Sequence, residues 1–161
     1  MVKRQTLVVL RGAAETENEE MKRILVLCTG NSCRSQMAEG YLRKFAGDRA
    51  EIFSAGIEAH GLNPRAVAAM HEDGVDIAHH TSNLVSDFDG TKFDYVITVC
   101  DNAREQCPYF PGVEQFHQDF PDPAKASGTE KEIAESFRKV RDQIKAYAKS
   151  FVQDNLVNHG S

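Results

Sequence analysis

The four cysteines of this 161-residue chain are its most reactive side chains, and one of them begins a short loop. Cys28 follows the apolar run 24–27, and five residues separate it from Arg34. Over that distance successive backbone N–H groups can turn inward around a tetrahedral oxyanion, and the guanidinium can add a bidentate fork. A helix beginning after the loop would favour negative charge at its N-terminus. We therefore predict an anion-binding loop over 28–35, with Cys28 as nucleophile.

The remaining loop residues suit this function. Gly30 and Asn31 are the residue types that most readily take the positive φ angles such a loop needs. The hydroxyl of Ser35 is placed to donate to the Cys28 sulfur, and an arginine and a helix N-terminus stabilise a thiolate. The alternative is an ordinary strand-to-helix turn with a buried cysteine. The predicted substrate-binding residues are Thr29, Gly30, Asn31, Ser32, Cys33, Arg34 and Ser35.

A second cysteine pair follows another apolar run, with Cys100 at the end of the run and Cys107 before a proline. If the intervening residues are helical, the two cysteines share a face but stand about 10 Å apart. A disulfide requires Cα atoms within about 7 Å of each other, so the helix would have to unwind. We predict a redox-switched segment. Zinc is the alternative, but only Cys28 and Cys33 have the spacing usual for its ligands.

A carboxylate and two histidines complete the candidates. Asp122 lies in the turn-rich segment 120–123, which could carry it over the loop as a proton donor. Asp119 is a nearby competitor, and a simple Asp-Pro turn is the alternative. His79 and His80 are adjacent, so their side chains diverge, and we expect solvated loop histidines rather than a metal site.

Strand and helix patterns alternate along the chain and must position these residues. Strands are predicted over 24–28, 52–55, 93–100 and 113–117. Helices are predicted from Ser35 to a stop at Gly47, from Asn63-Pro64 to Gly74, and from a capping box of Thr129 and Glu132 to Phe151. This alternation predicts a parallel α/β sheet, whose ligands bind at the carboxyl ends of the strands. Cys28 and Cys100 both fall at such ends.

Length and composition restrict the class of protein. The chain suits one domain, predicted over 21–155. Residues 1–20 are an expected disordered extension, with an edge strand over 5–10 as the alternative, and 156–161 an expected flexible tail. The formal net charge of -5 argues against a nucleic-acid partner, and no apolar run reaches the roughly 20 residues of a membrane span. We find no export signal before the four cysteines, so we read them as catalytic or metal-binding rather than as structural disulfides. We therefore predict a cytoplasmic protein.

The loop 28–35 with residues 36–40 resembles the low-molecular-weight tyrosine phosphatase superfamily. Within it, Cys100, Cys107-Pro108 and Asp122-Pro123 resemble the thioredoxin-coupled arsenate reductases, over about residues 21–151. This resemblance implies a single-domain, three-layer α/β/α fold with a four-stranded parallel sheet. It also implies arsenate as substrate and thioredoxin as reductant, with glutaredoxin as the alternative. Separately, we expect a monomer.

The resemblance assigns each catalytic residue a step. Cys28 attacks arsenate bound by the loop amides and Arg34, while Asp122 protonates the departing oxygen. Cys100 then attacks Cys28 and releases arsenite, Cys107 attacks Cys100, and thioredoxin reduces the resulting bridge. The electron count agrees, because arsenic(V) accepts two electrons and a dithiol supplies two, whereas phosphate cannot be reduced in this way.

The resemblance further implies a potassium ion beside the loop, near Asn31, Glu39 and Ser54, and no essential cofactor. Asn83 stands where an aspartate is usual, which removes a negative charge. Two alternative functions are a tyrosine phosphatase on the same scaffold and a non-enzymatic thiol redox sensor. Phosphatase relatives tend to carry tyrosines after the Asp-Pro pair, and residues 124–126 are Ala-Lys-Ala instead.

Overall fold

A computed structural model of the protein describes residues 21–156. The predicted extension over 1–20, the alternative strand over 5–10 and all but the first residue of the predicted tail over 156–161 lie outside this range. The domain limits therefore stay predictions.

Strands and helices alternate through the described residues. The strands are β1 (Lys22–Cys28), β2 (Ala50–Gly56), β3 (Tyr95–Thr98) and β4 (Glu114–His117), and the helices are α1 (Arg34–Ala46), α2 (Pro64–Glu72), α3 (Asp101–Gln106) and α4 (Glu130–Asn155). The strands form one sheet in the order β2-β1-β3-β4, and every neighbouring pair is parallel. The predicted four-stranded parallel sheet is confirmed.

Burial explains why β1 lies at the centre of the sheet. Residues 24–27 are completely inaccessible to solvent, as expected for a parallel strand covered by helices on both faces. On one face, α4 buries a stripe that includes Phe137, Val140 and Ile144. The predicted capping box at its start is present, with Thr129 and Glu132 each bonding the other's backbone N–H. The stripe and the cap together hold α4 on the sheet.

Most boundary differences from the predictions occur at the ends of strands. The predicted strand over 93–100 is shorter, because Cys100 already caps α3 and Phe93 packs in the core before the strand starts. The strand predicted over 52–55 is longer, since β2 pairs with β1 along its whole length. The helix stops at Gly47 and Gly74 are confirmed, and both glycines have positive φ, at 60° and 79°.

The sheet order sets the position of the site. The register of the central strands pairs Leu27 of β1 with Thr98 of β3, so Cys28 and Cys100 leave neighbouring strands at one edge. His117 of β4 pairs with Thr98 on the other side. Within residues 21–156, no helix combines the length and the apolar character needed to cross a bilayer.

Candidate active site

The backbone of the loop after β1 is turned so that its carbonyls face residues 57–63 and the Asn31 N–H faces the Cys28 sulfur. The carbonyls of Cys28, Thr29, Gly30 and Ser32 accept hydrogen bonds from residues 57–63, at 2.8 to 3.2 Å. In a planar trans peptide the C=O and the following N–H point in opposite directions. The N–H groups of the loop therefore point away from 57–63, and that of Asn31 donates to the Cys28 sulfur at 3.2 Å.

The Ser35 hydroxyl is the second donor to this sulfur. Its oxygen lies 2.9 Å from Cys28 Sγ and also accepts from Asn31 Nδ2 at 2.7 Å. Because an amide NH₂ only donates, the hydroxyl hydrogen is left to point at the sulfur. The buried Cys28 sulfur therefore has two hydrogen-bond donors, the Asn31 N–H and the Ser35 hydroxyl.

Asn31 and Gly30 shape the loop for different reasons. Asn31 has a φ of 49° and is fully buried, and its Oδ1 accepts from the backbone of Asn83 at 2.7 Å. The expectation of a positive φ at Gly30 is wrong. A Cβ at this position would lie too close to the half-exposed ring of His60, so a larger residue would force that ring to move. Sequence reasoning could not see this contact, since it joins the loop to a residue in another segment.

Arg34 and Asp122 face each other across the site. Arg34 Nη1 donates to the Phe120 carbonyl at 3.0 Å, and Nη2 lies 3.6 Å from Asp122 Oδ2. The other oxygen of Asp122 accepts from the Ala124 N–H, and Asp122 thereby caps a short 3₁₀ turn over 123–125. Asp119, the competitor, is exposed. The segment 120–123 thus places Asp122, rather than Asp119, beside Arg34.

Cys33 differs from the other cysteines in its surroundings. It is 4% exposed, and burial raises its pKa to about 12, so it remains a thiol at neutral pH. It precedes α1 without a side-chain cap. Of the predicted substrate-binding residues, Cys33 can therefore contribute its peptide N–H but not a reactive sulfur.

Cys100 lies beside the loop, and Cys107 lies at the far end of α3. Cys100 is 4% exposed, and its sulfur is 3.4 Å from the Thr29 hydroxyl and accepts from the Ala103 N–H at 3.4 Å. Cys107 accepts from Gln115 Nε2 at 3.1 Å, and burial raises its pKa. Both are free thiols. The segment between them is helical over Asp101–Gln106, the case considered from the sequence, and at the usual helical rise a disulfide requires this helix to open.

A polar chain continues from the loop toward Glu39. Asn31 Nδ2 donates to Ser54 Oγ at 3.0 Å, and Ser54 donates to Glu39 Oε1 at 2.6 Å. The second carboxylate oxygen of Glu39 is held by the Arg43 guanidinium at 2.7 Å. This buried carboxylate supports the asparagine that orients Ser35.

The same residues do not fit a potassium ion as they are arranged. Potassium would need free oxygens, whereas the Glu39 oxygens are bound by Ser54 and by the cationic Arg43. The Asn83 amide donates to the carbonyls of Ser54 and Thr81 at 3.3 and 3.2 Å, where a carboxylate could only accept. The expected potassium ion is therefore not supported by these contacts, and the reaction proposed for the protein does not use one.

The expectation for the histidine pair is only half correct. His79 is exposed, but the His80 side chain is 4% exposed, and its Nδ1 lies 3.0 Å from Gln36 Oε1. Burial lowers the pKa of His80 below its ordinary value of 6.5. Gln36 in turn donates to the Asn31 carbonyl at 3.1 Å. In the part of the chain described here, no three His, Cys, Asp or Glu side chains cluster as a metal site.

A cysteine with two donors to its sulfur and an arginine beside it, at the end of a central parallel strand, defines a thiol-based oxyanion site. The chain belongs to the low molecular weight phosphotyrosine protein phosphatase family, whose profile matches residues 23–159. Among its curated relatives, the arsenate reductase of Bacillus subtilis (strain 168) is 49% identical over 135 residues, which cover 83% of this chain and 97% of the relative. That of Bacillus licheniformis is 51% identical over 133 residues, covering 82% and 96%.

Solved structures agree with this placement. An arsenate reductase in the phosphate binding state superimposes with a TM-score of 0.67 at 32% identity, covering 83% of this chain and 98% of that one. The resemblance to arsenate reductases stated from the sequence is confirmed.

Proposed function

We propose that this protein is an arsenate reductase that reduces arsenate to arsenite through Cys28, Cys100 and Cys107, with thioredoxin as the final reductant. The relatives that are about half identical over most of the chain are arsenate reductases, and a related solved structure binds phosphate, which has the shape and charge of arsenate. The observation that carries the proposal is the Cys28 sulfur, held by the Asn31 N–H and Ser35, with Cys100 directly beyond Thr29.

The first step takes place at the loop that begins with Cys28. The Cys28 thiolate attacks arsenic while loop N–H groups and Arg34 bind the arsenate oxygens. Asp122 donates a proton to the departing oxygen, which leaves as water. A Cys28–arsenic bond forms and one arsenic–oxygen bond breaks, with arsenic still in its pentavalent state.

The second step transfers the electrons. The Cys100 thiolate attacks the Cys28 sulfur, and the electron pair of the sulfur–arsenic bond passes to arsenic, which leaves as arsenite. The Thr29 hydroxyl accepts from Asn102 Nδ2 at 3.1 Å, so its hydrogen is directed at Cys100 Sγ. Cys107 then attacks Cys100 and frees Cys28, and thioredoxin reduces the Cys100–Cys107 bridge.

Two further parts of the proposal concern the compartment and the oligomeric state. Four free thiols suit a reducing compartment, so we place the protein in the cytoplasm. Of residues 21–156, the exposed large apolar side chains are Met21, Leu84 and Tyr109. Scattered side chains of this kind form no broad apolar patch, which supports a monomer.

A coupled assay tests the proposal. The protein is incubated with arsenate, thioredoxin, thioredoxin reductase and NADPH, and NADPH oxidation is followed for the wild type and for Cys28→Ser, Cys100→Ser and Cys107→Ser. Each variant is expected to lose steady-state turnover, whereas the matched Cys33→Ser variant keeps most of it. Replacing thioredoxin with glutaredoxin and glutathione identifies the reductant.

Three outcomes would contradict the proposal. Full turnover in Cys107→Ser would remove the relay. Hydrolysis of p-nitrophenyl phosphate without arsenate reduction would assign a phosphatase instead. Formation of a Cys100–Cys107 bridge under oxidant, with no arsenate turnover, would assign a thiol sensor.

A further inference from the structure

Strand β4 contacts both ends of α3, the helix between Cys100 and Cys107. At the start of α3, His117 Nε2 lies 2.9 Å from Asp101 Oδ1. At its end, Gln115 Nε2 donates to Cys107 Sγ at 3.1 Å. Gln115 and His117 are two residues apart on one strand, so their side chains point to the same face. We call these two side chains the β4 clasp.

His117 joins the first residue of α3 to the sheet core. Its Nδ1 lies 2.8 Å from the hydroxyl of Thr98, which is 1% exposed. A carboxylate only accepts, so Nε2–H donates to Asp101 while Nδ1 hydrogen-bonds with the Thr98 hydroxyl, and both ring nitrogens are used. Asp101 directly follows Cys100 in the chain. The imidazole therefore fixes the backbone next to the central cysteine of the relay.

Besides the clasp, α3 is held by the Cys100 cap, whose sulfur accepts from the Ala103 N–H, and by the packing of Ala103 in the core. It has six residues, and of these only Ala103 is buried. A helix of this length is unstable by itself, so its contacts with neighbours decide whether it forms. Asn102 ties it to Thr29 of the loop, and Arg104 pairs with Asp101 at 3.6 Å on the surface. Such a surface pair contributes little.

We propose that Gln115 and His117 are positioning residues that hold α3 closed in the dithiol state and so set how readily the Cys100–Cys107 disulfide forms. This inference rests on the proposed function, because it assumes that the two cysteines form that bridge. The clasp touches neither arsenate nor Cys28.

The exchange step shows why the clasp matters. The Cys107 thiolate, having lost its proton to solvent, attacks Cys100 Sγ in the Cys28–Cys100 disulfide. The Cys100–Cys107 bond forms, the Cys28–Cys100 bond breaks, and its electron pair leaves on Cys28. No net electrons enter or leave. Because the new bond needs α3 to open, every contact that stabilises closed α3 opposes it.

The test isolates the pair in the full chain carrying Cys28→Ser and Cys33→Ser. This parent protein is equilibrated with mixtures of reduced and oxidised dithiothreitol, and the disulfide fraction is measured by alkylation and mass spectrometry. Adding His117→Ala is expected to shift the equilibrium toward the disulfide about fivefold, as for loss of one hydrogen bond. Fivefold corresponds to about 20 mV for this two-electron couple.

Three further variants separate positioning from general stability. His117→Gln retains a donor toward Asp101 and is expected to recover at least half of the shift. Gln115→Ala is expected to shift the equilibrium in the same direction as His117→Ala. Arg104→Ala is the matched control, because it removes the other partner of Asp101, and it is expected to leave the equilibrium where it was. Thermal melting of each variant confirms that it is folded.

Each result decides the matter. A disulfide that forms with the same equilibrium in the parent, His117→Ala and Gln115→Ala proteins overturns the clasp while the relay stands. An equal shift in Arg104→Ala overturns it too, since any change near Asp101 would then suffice. If the parent forms no Cys100–Cys107 disulfide, the relay of the proposed function fails and the clasp fails with it.

Discussion

The loop that holds Cys28 and the helix that separates Cys100 from Cys107 are built in opposite ways. In the loop, Cys28, Asn31 and Ser35 are almost fully buried, and the carbonyls are bonded to residues 57–63. In α3, five of six side chains are partly or fully exposed, and the helix is tied to the sheet mainly by side-chain contacts. The two regions lie next to each other, joined through Thr29.

This contrast matches the two tasks of the proposed reaction. Binding an oxyanion needs donors fixed in advance, so that none must reorganise during the reaction. Forming a disulfide between residues at the two ends of a helix needs a segment that opens at low cost in free energy. Rigidity at Cys28 and weak attachment at α3 are therefore complementary.

Single-turnover chemistry separates the two regions most sharply. With arsenate and no reductant, Cys28→Ser is expected to release no arsenite, because the nucleophile is lost. Cys107→Ser is expected to release one equivalent per protein molecule and then stop, because Cys28 and Cys100 suffice for the electron transfer. Arsenite is quantified by chromatography with arsenic detection, and the trapped Cys28–Cys100 disulfide by peptide mass spectrometry.

Either of two results would contradict this division. An arsenite burst from Cys28→Ser would place the nucleophile elsewhere. The absence of any burst from Cys107→Ser would mean that Cys107 acts before arsenite release rather than after it.

Stability measurements give the next largest contrast. Asn31→Ala removes donors to Ser35 and Ser54 and leaves the Asn83 N–H without its acceptor. Two buried hydrogen bonds and one partly buried one are lost, so the free energy of unfolding should fall by about 3 kcal/mol. Asn102→Ala is the matched control in α3, where the change should be about 0.5 kcal/mol or less. Urea unfolding measures both, and equal losses would contradict the contrast.

The sequence could predict the strongly patterned parts of this molecule. The apolar run before Cys28, the capping box of α4 and the two helix stops are local signals, and each is found where the pattern indicates. The loop is equally local, because the cysteine, five residues and the arginine are contiguous.

Contacts between distant segments could not be predicted. The crowding of Gly30 by His60, the burial of His80 and the bonds from β4 to α3 all depend on how separate elements pack against each other. A single histidine or glutamine in a loop or an edge strand carries no periodic signal. Only the tertiary fold distinguishes a solvated side chain from one that positions a cysteine.

Hydrogen exchange tests the contrast without any substitution. Amides 103–106 of α3 are expected to exchange at least about tenfold faster than the buried amides of α1, since α3 can open without unfolding the sheet. Exchange followed by mass spectrometry on the reduced protein measures both. Equal protection in the two helices would show that α3 opens only with global unfolding, which would remove the proposed ease of its rearrangement.

His80 tests how far the rigid region extends, with the smallest expected effect. Its imidazole bonds Gln36, which bonds the Asn31 carbonyl, so the histidine belongs to the buried surroundings of the loop. Burial lowers the pKa of His80 in the folded protein below its ordinary value of 6.5, against the opposing pull of Glu39. The unfolded chain therefore binds more protons as the pH falls below about 6.5, and the folded state loses stability.

The expected result is a steeper loss of stability on acidification in the wild type than in His80→Gln. Glutamine has an amide donor for Gln36 but no group that titrates in this range. The free energy of unfolding is measured at several pH values between about 7.5 and 5, and the difference between the two proteins is compared across them. His71 is exposed on the surface of α2, so His71→Gln is the control and should follow the wild type. Parallel profiles for wild type and His80→Gln would mean that His80 can take up its proton without cost, and the rigid region would then end at Gln36.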